Sequence, residues 1–163
     1  MVDAQDPVIK NSVMLIDNQQ LEDNLRVKYE FTAKDGTKVP GYRRYGNDGY
    51  GEDIVTGLSY AEKGNTEDQR GRVWPFFTGE RGHYELALAK SAGNLTPESK
   101  KALINTYVQG METFANQGLM LPEQAWDGVG NPTRYNYKMG DGTNSATPLA
   151  WTHAEYVKLV RSM

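Results

Sequence analysis

Two long stretches of this chain, 34–78 and 118–146, interrupt the helical patterning around them. The first holds many glycines, and the second is rich in glycine, asparagine, aspartate and threonine. Connections of that length inside a compact domain are uncommon, and when they occur they are generally functional. Any fold for this sequence must therefore hang two large shaped loops on a frame of other elements. The loops are the place to look for function.

The frame reads as four helices. Asp6 followed by Pro7 is an N-cap with proline at the first helical position, and Val8, Ile9, Val13 and Ile16 follow at helical spacing. A second helix is expected from Gly79 or Glu80 to Ala92, closed by Gly93, whose missing Cβ suits a left-handed cap. Thr96-Pro97-Glu98 opens the third, with Leu103, Tyr107, Met111 and Phe114 along one core-facing stripe and Gly118 at its end. The fourth starts at Thr147-Pro148 and carries Leu149, Trp151, Ala154, Val157 and Val160 to the end of the sequence. A short hairpin, Val27–Phe31 with Thr37–Val39, fits the Asp35-Gly36 turn. The expected class is all-α with elaborated loops, without an internal repeat.

Composition narrows the function. At 163 residues the chain is the size of one ordinary domain. Its mean hydropathy of −0.68 is polar for a globular chain. A net charge of −3, from interspersed acids and bases, argues against nucleic-acid binding, which needs a basic face. No apolar run is long enough to span a bilayer, and Met1–Lys10 has no signal-peptide pattern. With His83 and His153 as the only histidines and no cysteine, neither a metal site nor a cofactor is expected. Ten tyrosines and three tryptophans among long loops hint at a polar-ligand cleft, because aromatic faces pack on sugar rings.

Four blocks then give a specific resemblance: Arg44–Tyr50, Gly71–Glu85, Leu121–Asp127 and Ser145–Trp151. Each alone is a short pattern. In this order and spacing they resemble glycoside hydrolase family 15, the inverting glucoamylases and glucodextranases built on an (α/α)6 barrel. The match covers the chain from Arg44 onward and corresponds to the C-terminal part of the catalytic domain.

The resemblance implies an exo-acting hydrolase that releases β-glucose from the non-reducing ends of an α-glucan, or of malto- or isomalto-oligosaccharides. It makes Glu123 the general base and places Ser145 beside that carboxylate. Arg44 matches an arginine that grips substrate hydroxyls, and Trp74 and Trp151 match aromatic positions of the sugar subsites. Gln124 and Trp126 would contribute from the base loop. A periplasmic or extracellular location is implied as well.

The family's general acid belongs to an upstream segment, and no acidic residue here matches its motif. Residues 1–163 are therefore expected to be an incomplete catalytic domain, about four of twelve barrel helices, whose partner is the upstream part of the same domain. Alone, the chain should be inactive. A fragment, a split product and a remnant with new packing all fit.

Read without the resemblance, several of these residues have plainer explanations. Glu123 could be a surface glutamate after proline, and Ser145 an ordinary serine near a helix start. Arg43 and Arg44 could be a solvated pair beside Asp48, and Trp151 could only wall a cleft. Glu80, Arg81 and Glu85 read as a structural charge network. A non-catalytic carbohydrate-binding or interaction module, stacking sugars on Trp74, Trp126 and Trp151, is the alternative function.

Overall fold

The computed structural model of the chain describes residues 3–22, 24–63, 66–132 and 134–163. Helix is its main regular structure, and among the described residues strands occur only as two short antiparallel ribbons.

Helix α1 spans Pro7–Ile16, its N-terminus capped by the Asp6 carboxylate, which accepts from the Val8 N–H. β1, Lys28–Thr32, pairs with β2, Lys38–Tyr42, in the register Lys28↔Tyr42 to Thr32↔Lys38. Their turn is closed by the Asp35 carboxylate, which accepts from the Thr37 N–H, and by Gly36 at φ +89°. The second strand is longer than the sequence suggested, because Gly41 lets the rings of Phe31 and Phe114 and the Val73 side chain press onto the backbone.

β3, Glu52–Asp53, pairs with β4, Gln69–Arg70, around the single-turn helix α2, Tyr60–Lys63. This second ribbon has no sequence signature: it is two residues wide, and Glu52, Asp53 and Gln69 are buried polar residues.

Helix α3 runs Pro75–Ser91 and so starts earlier than Gly79, with Trp74 extended ahead of Pro75 at the first position. Pro75 is a helix-start signal that the following Phe-Phe-Thr-Gly run obscures. The helix ends as expected, with Gly93 at φ +68°. α4, Pro97–Leu103, opens on a reciprocal capping box between Thr96 and Ser99. It continues through a π-helical turn, Ile104–Val108, into α5, Gln109–Glu112. This helix stops well before Gly118, because Phe114 turns into the hairpin core and meets Phe31 edge to face at 4.8 Å. α6 covers Ala150–Ser162 rather than starting at Thr147-Pro148. Leu149 stays extended and donates its N–H to the Leu121 carbonyl, which ties the helix start to the 118–146 loop.

α3 and α6 pack closely. A Cβ on Gly79 would lie 2.6 Å from Glu155 Cγ, and one on Gly82 would lie 2.9 Å from Leu159 Cδ1. Tyr107, Val108, Met111 and Leu159 form one apolar cluster between these helices. The other sits under the loops, where Tyr29, Phe31, Val39, Val73, Phe114 and Ala125 meet. α1 belongs to neither and has no buried residue. It is held to α3 by polar ties, chiefly the Arg81 guanidinium on both oxygens of Asp17.

Candidate active site

The segment Leu121–Asp127 runs between two others. Ala125 bridges Val73 on one side and Gly142 on the other. The Glu123 N–H donates to the Ala146 carbonyl at 2.8 Å. In return the Ala146 N–H donates to Glu123 Oε2 at 3.3 Å. The Glu123 side chain is partly exposed, and among the described residues no cation pairs with it.

Three buried carboxylates in these loops are committed. Asp48 holds Arg44, Glu52 holds Arg72, and Asp127 receives both Arg43 and Arg72.

Arg44 lies half-buried, its Nε and Nη2 donating to the two Asp48 oxygens at 2.8 and 2.7 Å. Those two bonds raise its pKa above the ordinary value, so it is a firmly held cation. Its guanidinium stands 4.9 Å from the Trp74 ring centroid and 5.2 Å from that of Tyr50. From there an aromatic band continues: Trp74 meets Phe76 edge-on at 5.8 Å, and Phe76 stacks on Trp151 at 4.1 Å. Trp74 is buried, and among the described residues its indole N–H has no hydrogen-bond partner. Trp151 is 56% exposed, an open ring face on a buried support. The Val73–Ala125 rung joins this band to the Glu123 segment. Backbone contacts thus tie the segment carrying Glu123 to the stretch that leads into Trp74, and the Leu149 N–H, donated to the Leu121 carbonyl, ties it to the start of the helix carrying Trp151.

Three expected site residues sit differently. The Gln124 amide is used up by backbone: its Oε1 accepts from the Arg72 N–H at 2.7 Å, and its Nε2 donates to the Tyr50 carbonyl at 2.9 Å. Trp126 is 3% exposed, with the Arg72 guanidinium 4.1 Å from its ring centroid, so it wedges the loop core instead of offering a free face. The Ser145 hydroxyl accepts from the Gln124 N–H at 3.1 Å, and it is the Ala146 amide that meets the Glu123 carboxylate. Arg43 and Arg44 are not a solvated pair, since Arg43 is buried and bonded to Asp127 at 2.8 Å. Arg81 and Glu85 do form a charge network, but with Asp17 in place of Glu80.

Sequence reading missed Asp48, Tyr50, Phe76 and Arg72. The Arg44–Asp48 spacing and the Trp-Pro-Phe-Phe run were the available signals.

A cavity of about 160 Å³ lies against Tyr50, Glu52, Gln124 and Ser145. A larger one of about 510 Å³ opens beneath the hairpin turn, against Asp35, Gln109, Glu112, His153 and Tyr156, and does not include Glu123, Arg44, Trp74 or Trp151.

The sequence model of the glycosyl hydrolases family 15 matches residues 3–161. The chain belongs to that family. It is 39% identical over 155 residues to a glucoamylase of Clostridium sp. (strain G0005), a match covering 95% of this chain and 18% of that protein. It is also similar, at 35% identity and a TM-score of 0.64, to the crystal structure of a bacterial glucoamylase complexed with acarbose. That alignment takes in 98% of this chain and 18% of the other. The chain thus spans about a fifth of the length of these family 15 relatives. Among the described residues no helix is long and apolar enough to cross a membrane.

Proposed function

We propose that this chain supplies the general-base half of an inverting, exo-acting α-glucan hydrolase, with Glu123 as the base. It would work within an (α/α)6 barrel completed by the rest of the catalytic domain. The observation that carries the reading is the state of the Glu123 carboxylate. It projects from a segment braced on both sides, among the described residues it meets one backbone N–H and no cation, and a backbone rung ties its segment to the stretch that leads into an aromatic band with a fixed arginine.

Inversion needs a carboxylate that takes a proton from water on one ring face while an acid protonates the leaving oxygen on the other, the two about 6.5–9.5 Å apart. Glu123 would take that proton, and the acid would come from the remainder of the domain. Arg44, pinned by Asp48, would donate to sugar hydroxyls. Trp151 would pack its open face on a pyranose, and the buried Trp74 would back the subsite behind Arg44. The substrate class is an α-glucan or a malto- or isomalto-oligosaccharide, in a periplasmic or extracellular setting.

The open Trp151 face alone would also serve a non-catalytic sugar-binding module. One substitution separates the two. In the chain assembled with the remainder of a family 15 catalytic domain, Glu123→Gln keeps the shape but cannot accept the proton. It should lower kcat by about 10²-fold or more with a smaller change in KM, measured by glucose release. Near-normal kcat would remove Glu123 from the role, and binding without turnover before any substitution would favour the module.

A further inference from the structure

Arg72 is a fully buried arginine one residue from the rung that braces the base segment. Its backbone N–H donates to Gln124 Oε1 at 2.7 Å. Its Nε donates to Glu52 at 2.9 Å. Its Nη1 reaches the Val129 carbonyl at 2.7 Å and Asp127 Oδ1 at 3.4 Å. The face of its guanidinium covers the Trp126 ring, and the next residue's carbonyl accepts the Ala125 N–H at 2.8 Å. Five of the six residues from 124 to 129, all but Gly128, are thus gripped from one two-residue stretch, and Glu123 is the residue immediately before them.

Burying a guanidinium with two carboxylates is a weak way to gain stability, since desolvation consumes most of the attraction. It is an effective way to fix geometry. A planar fork can satisfy Glu52, Asp127 and a carbonyl at once, whereas a lysine ammonium is a single point that cannot reach all three.

We propose that Arg72 is the positioning residue of the base segment: its guanidinium and backbone N–H together fix residues 124–129, and through them the Glu123 carboxylate. The inference rests on the reading of Glu123 as the base. Arg72 touches no substrate. It acts by setting where the base stands relative to the attacking water, and a displacement of about 1 Å at such a point costs about 10²-fold in rate.

The test compares Arg72→Lys, Asp127→Asn and Glu123→Ala in the chain assembled with the remainder of a family 15 catalytic domain, with and without sodium azide. Azide needs no proton removed. Its nitrogen bonds to the anomeric carbon as the glycosidic C–O bond breaks, and the leaving oxygen takes the proton of the general acid. Arg72→Lys should lower kcat by about 10²-fold while KM stays within about threefold. Azide should raise turnover in Arg72→Lys and in Glu123→Ala alike and leave the parent unchanged. If Arg72→Lys does not fold, as judged by circular dichroism, Asp127→Asn supplies the same comparison with the shape preserved. A parent-like kcat in the folded variant, or azide rescue of Glu123→Ala without rescue of the Arg72 or Asp127 variant, overturns the proposal. A parent-like kcat in Glu123→Ala defeats the base reading itself and takes this inference with it.

Discussion

In the loops, between residues 43 and 74 and again between 121 and 129, the chain buries Arg43, Asp48, Glu52, Arg72, Gln124 and Asp127. In α1 it does the reverse, leaving Val8 72%, Met14 70% and Leu15 68% exposed. A chain folding for stability alone would put these groups the other way round. The buried charges are paired, so the loops are built to hold a geometry that stability does not require. No residue of α1 is buried, and the Arg81–Asp17 pair at its C-terminal end ties it to α3, so its apolar face is left uncovered. The contrast separates loops of paired, buried charge from a helix left uncovered.

Breaking the paired charges of the loops should have the largest effect on stability. Asp127→Ala removes the carboxylate shared by two buried guanidiniums, and the chain should lose about 3–5 kcal/mol in chemical denaturation. A loss of about 0.5 kcal/mol or less would mean that water already solvates this cluster.

The uncovered helix should respond in the opposite way. Leu15→Glu on α1 should change unfolding stability by no more than about 0.5 kcal/mol, because Leu15 is exposed. It should reduce self-association seen by light scattering, because it interrupts the apolar stripe. A large stability loss there would show that α1 packs on its own chain in solution, and the contrast between the two regions would fail.

How far the sequence anticipated this structure follows from the range of each interaction. The starts of α1 and α4 and the end of α3 were legible because Asp6, Thr96 and Gly93 act on backbone groups within a few residues. The end of α5 and the start of α6 were not, because Phe114 is claimed by Phe31 and Leu149 by the Leu121 carbonyl. The same division holds at the site. The motif blocks singled out Glu123, Arg44, Trp74 and Trp151, and of these Arg44 has its ion-pair partner, Asp48, four residues away. Gln124 and Trp126 were read as substrate contacts because their partners, the Arg72 N–H, the Tyr50 carbonyl and the Arg72 guanidinium, are 52 to 74 positions away in sequence. An amide or an indole beside a catalytic glutamate looks the same in sequence whether it faces the cleft or the core.

The central claim is that Glu123 stands in a built wall which the remainder of the domain must complete. The most direct measurement is glucose release from maltooligosaccharides by this chain alone, by the remainder of a family 15 catalytic domain alone, and by the two mixed, with particle size followed by size-exclusion and light scattering. Turnover should appear only in the mixture, together with a monodisperse particle, and Glu123→Gln should abolish it. Hydrolysis by a monodisperse monomer of this chain alone would contradict the claim, since both the acid and the base would then have to lie within these 163 residues.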